Sequence, residues 1–380
     1  MKLLFLVTED WYFCSHRLPI ARAARDAGCE VIVATRVDTH GDTITREGFL
    51  LIPLQMSRRS KNPIRELAAV LEIINIYRRE RPDLVHHVAM KPVLYGSLAA
   101  RLTGVPAVVN ALAGMGFVFS SDRWKAKLLR PWIRSAFRLL LNQARGKVIL
   151  QNPDDQRLLI ESDVLSRDHT VLIRGSGVDI SRFRPSPESE DGPIVATLVA
   201  RMLLDKGVVE FIEAARLLKH KGISFKAVLV GEPDPENPVS IPDHQLLAWH
   251  SEGIVEWWGR QDDIPTVWKQ SHIAVLPSYR EGLPRTLLEA AACARPIIAT
   301  DVPGCREIVQ HESNGLLVPV KDSTALAHAI ERLLTDKALR HRLGGKGREL
   351  VQREFAESIV VHKTLDLYHS MLGKRWPEST

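Results

Sequence analysis

Three features of the 380-residue chain predict an α/β protein of two doubly wound parallel domains. Short apolar runs alternate with longer segments of helical period, and alternation of that kind joins parallel strands through crossover helices. The alternation breaks once, at the polar Pro- and Ser-rich run Pro185–Pro193, and then restarts. The length suits two domains of ordinary size. The expected division is 1–185 and 186–355, with a helix at 356–372 returning to the first domain.

The first strand is expected at Leu3–Val7. Its apolar run is short, stops at Thr8-Glu9-Asp10 and has no small-residue cleavage site after it, so it reads as a buried strand and not a secretion signal. Helix Leu18–Ala27 ends at Gly28, a C-terminal stop. Strand Val31–Ala34, helix Ile64–Arg81, strand Leu84–Val88, helix Val93–Leu102 and strand Ala107–Asn110 follow, then a long helical region, strand Lys147–Gln151 and helix Asp154–Glu161. Past the linker, strands are expected at Ile194–Val199, Phe225–Val230, Val255–Trp258, Ile273–Leu276 and Pro296–Ala299. Helices are expected at Val208–His220, Ile264–Gln270, Pro284–Ala294, Ser323–Leu334, Lys337–Arg353 and Ala356–Leu372. Domains of this type bind ligands at the carboxyl ends of their strands.

Composition narrows the function classes. Four scattered cysteines, with no CxxC and no paired His spacing, argue against a disulfide framework or a zinc site and for a reducing compartment. No stretch approaches the 18 or so apolar residues of a membrane span. Residues 1–180 hold 26 Lys and Arg against 18 Asp and Glu, and the remainder 25 against 27, so the basic excess belongs to the first half. An anionic partner is expected there: nucleic acid, anionic lipid or a phosphorylated substrate.

The strongest chemical signal is Ser278-Tyr279-Arg280-Glu281-Gly282-Leu283-Pro284-Arg285-Thr286-Leu287-Leu288-Glu289, directly after strand Ile273–Leu276. Pro284 suits the first turn of a helix, where a missing N–H costs nothing. The free N–H groups of that helix end suit a diphosphate or sugar oxygens. Glu281 and Glu289, seven residues apart in between, can both accept hydrogen bonds from a ligand rich in hydroxyls. Arg201 and Lys206 follow strand Ile194–Val199. Two cations at a sheet edge can neutralise a leaving diphosphate without a metal.

Arg201 and Lys206-Gly207, followed by Glu281-x7-Glu289, resemble the retaining family 4 glycosyltransferases of the GT-B fold. Gly177-Val178-Asp179 with Phe183 and Pro185 is similar to the family's hinge signature. Asp301-Val302-Pro303-Gly304-Cys305-Arg306-Glu307 and Asn314-Gly315-Leu316-Leu317-Val318 with Asp322 resemble two further segments. In the first half the resemblance rests on element order and on Phe13-Cys14-Ser15-His16-Arg17-Leu18-Pro19, similar to bacterial members that extend lipid-linked or surface glycans. The resemblance implies two Rossmann-like domains facing a central cleft, and a sugar moved with retention from a nucleotide-sugar donor, a UDP-sugar, onto a lipid-linked or surface-polysaccharide acceptor. It implies that Arg201 and Lys206 bind the diphosphate, that Glu289 holds the ribose hydroxyls and that Glu281, Gly282 and Leu283 contact the donor sugar, with no metal or other cofactor. The chain departs from the family at Tyr12-Phe13-Cys14-Ser15 (where Gly-Gly is common), at Ser176 for Asn and at Ala200 for Gly. Asn110–Gly116 stands where many members carry a His, so no catalytic His is carried over.

Acceptor-side candidates are His16, one of His86 and His87, Lys91 and Asn110, all near strand ends in the first half. Neighbours on a strand point opposite ways, so one of the two adjacent histidines should reach ligand. Ser15 is a candidate N-cap for the helix that follows His16. The segment Arg123–Arg138 carries six cations and no acid. Trp124, Leu128, Leu129, Trp132, Ile133 and Ala136 share one half of the helical wheel, and Arg123, Lys127, Arg130, Arg134 and Arg138 share the other. That pattern fits a helix lying in an anionic membrane interface, split or kinked at Pro131; an ordinary surface helix packing its apolar half on the domain is the alternative. The expected enzyme is then cytoplasmic and peripheral on the membrane. Its rivals are a nucleotide-sugar epimerase of similar build and a non-enzymatic nucleic-acid-binding protein. The latter lacks a recognisable binding module, and no nucleic-acid partner is expected.

Overall fold

The computed structural model describes residues 1–56, 62–112 and 124–377, with side chains from residue 133 onward in the last range. The chain divides into two compact units, Met1–Ser176 with Val360–Thr380, and Gly177–Ile359.

The first unit is built on β1 (Lys2–Glu9), β2 (Glu30–Arg36), β3 (Leu50–Pro53), β4 (Leu84–Val88), β5 (Ala107–Leu112), β6 (Gly146–Leu150) and β7 (Thr170–Leu172). They form one parallel sheet in the order β3-β2-β1-β4-β5-β6-β7. Its helices are α1 (Asp10–His16), α2 (Leu18–Asp26), α3 (Gly41–Arg46), α4 (Pro63–Glu80), α5 (Met90–Thr103), α6 (Trp124–Leu141) and α7 (Pro153–Glu161). Leu3, Phe5 and Val7 of β1 pack with Leu18, Ile20 and Ala24 of α2. The alternate residues Leu4 and Leu6 pack with Ile73 and Tyr77 of α4 and Ala99 of α5. Both sheet faces are covered, which is why these strands read as unbroken apolar runs. Helix α4 starts where Asn62 accepts the N–H of Ile64 at 3.0 Å and Pro63 opens the first turn.

The second unit is built on β8 (Val195–Val199), β9 (Lys226–Val230), β10 (Glu256–Trp257), β11 (Ile273–Leu276), β12 (Ile297–Thr300) and β13 (Gly315–Val318). They are parallel, in the order β10-β9-β8-β11-β12-β13. Its helices are α8 (Val208–His220), α9 (Asp243–Ser251), α10 (Ile264–Gln270), α11 (Arg285–Ala292), α12 (Pro303–Arg306), α13 (Ser323–Thr335) and α14 (Lys337–Leu350). The last helix, α15 (Glu357–Leu372), begins in this unit and brings Val360, Leu367, Tyr368 and Leu372 into the core around Leu3 and Phe5 of the first.

The division falls after Ser176 and not after residue 185. The Pro- and Ser-rich run is no free linker. Val178 and Phe183 are buried with Phe355 in a second-unit core. Arg348 donates to the Phe183 carbonyl at 2.9 Å, Arg295 donates to the Ser186 carbonyl at 3.0 Å, and Arg340 pairs with Glu188 at 2.9 Å. These arginines lie over a hundred residues along the chain, which is why the run looks unattached in the sequence.

Helix α6 also corrects an expectation. It runs unbroken from Trp124 to Leu141, through Pro131. Phe137 and Leu141 are fully buried and Ile133 packs against the same core, so the carboxyl half is held by the domain strongly enough to offset one missing backbone bond. Arg134 donates to the Ser162 carbonyl at 2.6 Å and Arg138 pairs with Asp163 at 2.7 Å. Arg134, expected at a membrane surface, is thus tethered to the loop after α7. The side chains of Trp124, Lys127, Arg130 and Trp132 lie outside the described residues, as do Gly114, Met115 and Gly116.

Candidate active site

In the second unit the strand order turns between β8 and β11, and the loops leaving those two strands flank the place where doubly wound sheets bind ligands. The β8 loop, Ala200–Gly207, carries Arg201 and Lys206. The β11 loop, Pro277–Pro284, carries Glu281. The two loops are stitched together: the Tyr279 N–H donates to the Asp205 carbonyl at 2.9 Å and the Ser278 hydroxyl to the same carbonyl at 3.0 Å. Gly207 makes the approach possible. Its φ is +72°, and a Cβ there would lie 2.1 Å from the Pro277 carbonyl oxygen. From the other side Gly304 backs the β11 loop; a Cβ on it would lie 2.5 Å from the Gly282 carbonyl oxygen.

This framework sets Lys206 Nζ 2.5 Å from Glu281 Oε1, in a pair that is largely buried. Arg201, more exposed, pairs with Asp234 at 2.5 Å, in the loop that leaves β9. Glu289 faces inward from α11 and pairs with Arg285 one turn earlier at 2.9 Å. Burial pushes the Glu289 carboxyl above the usual range, and the charge and hydrogen bond of Arg285 offset only part of that push. Pro284 is the residue before the first turn of α11, whose N–H donors open towards the loop bearing Gly282 and Leu283. The two carboxylates singled out in the sequence thus serve different cations. Sequence reasoning missed Asp234, which no pattern marks, and Arg285, which the Arg-x3-Glu spacing on a helix could have shown.

The first-unit candidates divide. His87 is fully buried, with Nε2 on the Tyr77 hydroxyl at 2.8 Å and Nδ1 on Asn110 Oδ1 at 2.8 Å. Asn110 also accepts from Ser97 at 3.0 Å. Burial pushes the His87 imidazole down to about 4, the Asn110 contact opposing it. His86 on the opposite sheet face is equally buried and bonds to Tyr368. Helices cover both sheet faces, so His86, His87 and Asn110 are all enclosed within the first unit and none is exposed at the strand end. Lys91 ion-pairs with Glu66 of α4 at 2.9 Å, and Tyr95 shares that carboxylate. His16 ends α1, stacked on Tyr12 with its Nδ1 2.6 Å from the Ser15 hydroxyl. Ser15 is not an N-cap: Arg17 holds that position for α2.

Comparison with known proteins decides the family. The family Glycosyl transferases group 1 matches residues 179–350, and Glycosyl transferase 4-like matches residues 2–152. The putative glycosyltransferase EpsD of Bacillus subtilis is 30% identical over 386 residues, covering 98% of this chain and 97% of that protein. The chain belongs to glycosyltransferase family 4. N,N'-diacetylbacillosaminyl-diphospho-undecaprenol alpha-1,3-N-acetylgalactosaminyltransferase of Campylobacter jejuni is 29% identical over 98% of this chain and 99% of its own length. Anabaena Alr3699/HepE in complex with UDP superposes with a TM-score of 0.78 at 20% identity, covering 97% of this chain and all of that one, which shows the GT-B fold. For this glycosyltransferase the group 1 match runs over the β8 and β11 loops, Lys206, Glu281 and Glu289 included.

Proposed function

We propose that this glycosyltransferase moves a sugar from a UDP-sugar onto a lipid-linked or surface-polysaccharide acceptor, with retention and without a metal, at the cytoplasmic face of a membrane. The observation that carries the donor half is the Lys206–Glu281 pair at the second-unit switch point, with Arg201 on the neighbouring loop. Lys206 and Arg201 take the diphosphate, and the N–H donors at the start of α11 add to them. Glu289 accepts from the ribose hydroxyls, and Glu281 with the Gly282 and Leu283 backbone contacts the sugar.

In the reaction the bond from the anomeric carbon to the β-phosphate oxygen breaks. The acceptor hydroxyl oxygen forms its bond on the same face, and its proton passes to the departing phosphate. Charge develops on that phosphate oxygen, where Lys206 and Arg201 stabilise it. Support for the donor comes from the UDP in the Anabaena structure, and for the acceptor from the diphospho-undecaprenol in the Campylobacter relative's name. Attachment to an anionic membrane rests on the sequence of the amino half of α6, Trp124, Lys127, Arg130 and Trp132. Thermal-shift screening of nucleotides and nucleotide sugars tests the donor: UDP and one UDP-sugar are expected to raise Tm, since a ligand of the native state stabilises it. The absence of any shift with nucleoside diphosphates sinks the donor assignment.

A further inference from the structure

Arg17 joins α1 to α2. Its N–H donates to the Phe13 carbonyl at 2.8 Å and its carbonyl accepts from Ala21 at 3.0 Å, so both helices fix the backbone from which the side chain leaves. The residue is 4% exposed, and its Nε is enclosed with no partner. Among the described residues no hydrogen bond, ion pair or ring contact reaches the guanidinium. The other two arginines buried to that degree among the described residues are both satisfied: Arg295 by the Trp268 carbonyl and Ser186, Arg340 by Glu188. A guanidinium keeps its proton inside a protein, and a buried charge without a counter-charge costs several kcal/mol. The anion it calls for is not supplied by the described part of the fold.

A second orphan lies within the influence of its charge. His86 Nε2 is enclosed without a partner, while its Nδ1 holds the Tyr368 hydroxyl. Burial first, and the Arg17 charge second, hold this imidazole neutral, far below its usual range. Topology makes the place informative. Arg17 follows β1 and His86 lies on β4, the two strands between which the first unit's order turns, so the pair flanks that unit's own switch point. The basic excess of the chain lies in this half.

We propose that Arg17 is an anion site of the first unit that takes a phosphate of the acceptor's diphosphate. The choice of acceptor rests on the proposed function; the site itself does not. The planar guanidinium fork matches two phosphate oxygens, which a lysine ammonium cannot do.

The test begins with pyrophosphate, titrated calorimetrically into the full chain carrying Arg201→Met and Lys206→Met, which removes the second unit's candidate diphosphate cations. Adding Arg17→Met is expected to weaken binding by about tenfold or more, the loss of a charge-assisted contact, and to abolish the rise in Tm that pyrophosphate gives. Equal affinity with and without Arg17 overturns the site. Arg17→Lys, which keeps the charge, is expected to fold in any case and to bind with intermediate affinity. Without ligand, Arg17→Met is expected to unfold at the same or higher urea, because an unpaired buried charge is gone. A lower midpoint with an unchanged pyrophosphate response makes Arg17 structural and overturns the proposal. In the chain with an intact second unit, Arg17→Lys is expected to raise the KM for a short prenyl-diphospho-N-acetylhexosamine by about tenfold or more. Pyrophosphate binding that depends on Arg17 beside an unchanged KM assigns the site to a free anion and overturns the acceptor assignment. If the wild type transfers no sugar from any nucleotide donor, the proposed function fails, and the calorimetry still decides the site.

Discussion

In the proposed function Lys206 and Glu289 hold neighbouring parts of the donor, and their surroundings predict different behaviour. Lys206→Ala removes a cation from the developing charge on the diphosphate. Turnover is expected to fall by a transition-state loss of about 2–4 kcal/mol while the fold stays intact; initial rates and circular dichroism check both halves. Glu289 is held above its usual carboxyl range by burial. A carboxyl raised in the folded state adds stability below its unfolded pKa and loses it as pH rises through the folded value. Wild type compared with Glu289→Gln should therefore be relatively most stable at and below the ordinary carboxyl range and lose ground as pH rises above it. Urea midpoints across that rise read it directly, and a relative stability that grows with pH would show that Arg285, not burial, sets the group. Activity of Glu289→Gln should fall at every pH, since an amide is a weaker acceptor for ribose hydroxyls. At this scale the sequence singled out candidate side chains for the chemistry but not how they pair. Arg201 and Lys206 are legible as cations after a strand; that Asp234 and Glu281 partner them depends on loops brought together by folding.

Single elements decide how those side chains are presented. Gly207→Ala puts a methyl group 2.1 Å from the Pro277 oxygen at a φ of +72°. The left-handed backbone alone costs an L-residue about 1–2 kcal/mol, and the clash adds to it. Reduced stability and a weaker nucleotide-induced shift in Tm are expected together, because the same glycine lets the Lys206 loop meet the Glu281 loop. In α6, Phe137→Ala is expected to destabilise the chain by about 3–5 kcal/mol, read as a fall in the urea midpoint. A near-neutral result would return the carboxyl half of that helix to a surface role. The long elements were readable because burial on both faces left long apolar runs or strong helical periods. The strands Leu50–Pro53, Thr170–Leu172 and Gly315–Val318 were not: each is three or four residues long, too short to show a period, and all three lie at sheet edges. The unit boundary was misplaced for a related reason, since Glu188 and Ser186 are held by arginines far along the chain.

Across the whole molecule, charge divides between the halves. The first carries the basic excess and the second the paired cations of the candidate donor site. Peripheral binding to anionic vesicles is expected to involve Lys127 and Arg130 but not Arg134, which is tethered to Ser162. Each cation at such a surface contributes about 1 kcal/mol. Lys127→Glu with Arg130→Glu should thus reduce flotation with anionic liposomes sharply, while Arg134→Gln should not. Flotation equal to wild type in the double variant would remove α6 from the membrane account. The central claim, transfer from a nucleotide sugar through the second-unit cations, is met most directly by one measurement: radiolabelled sugar moved from a panel of UDP-sugars to polyprenyl-diphosphate-linked acceptors, by wild type and by Lys206→Ala. The account predicts transfer from one UDP-sugar by the wild type and a loss of about 30- to 1000-fold in the variant. No transfer across the panel, or equal rates in the two proteins, would contradict it.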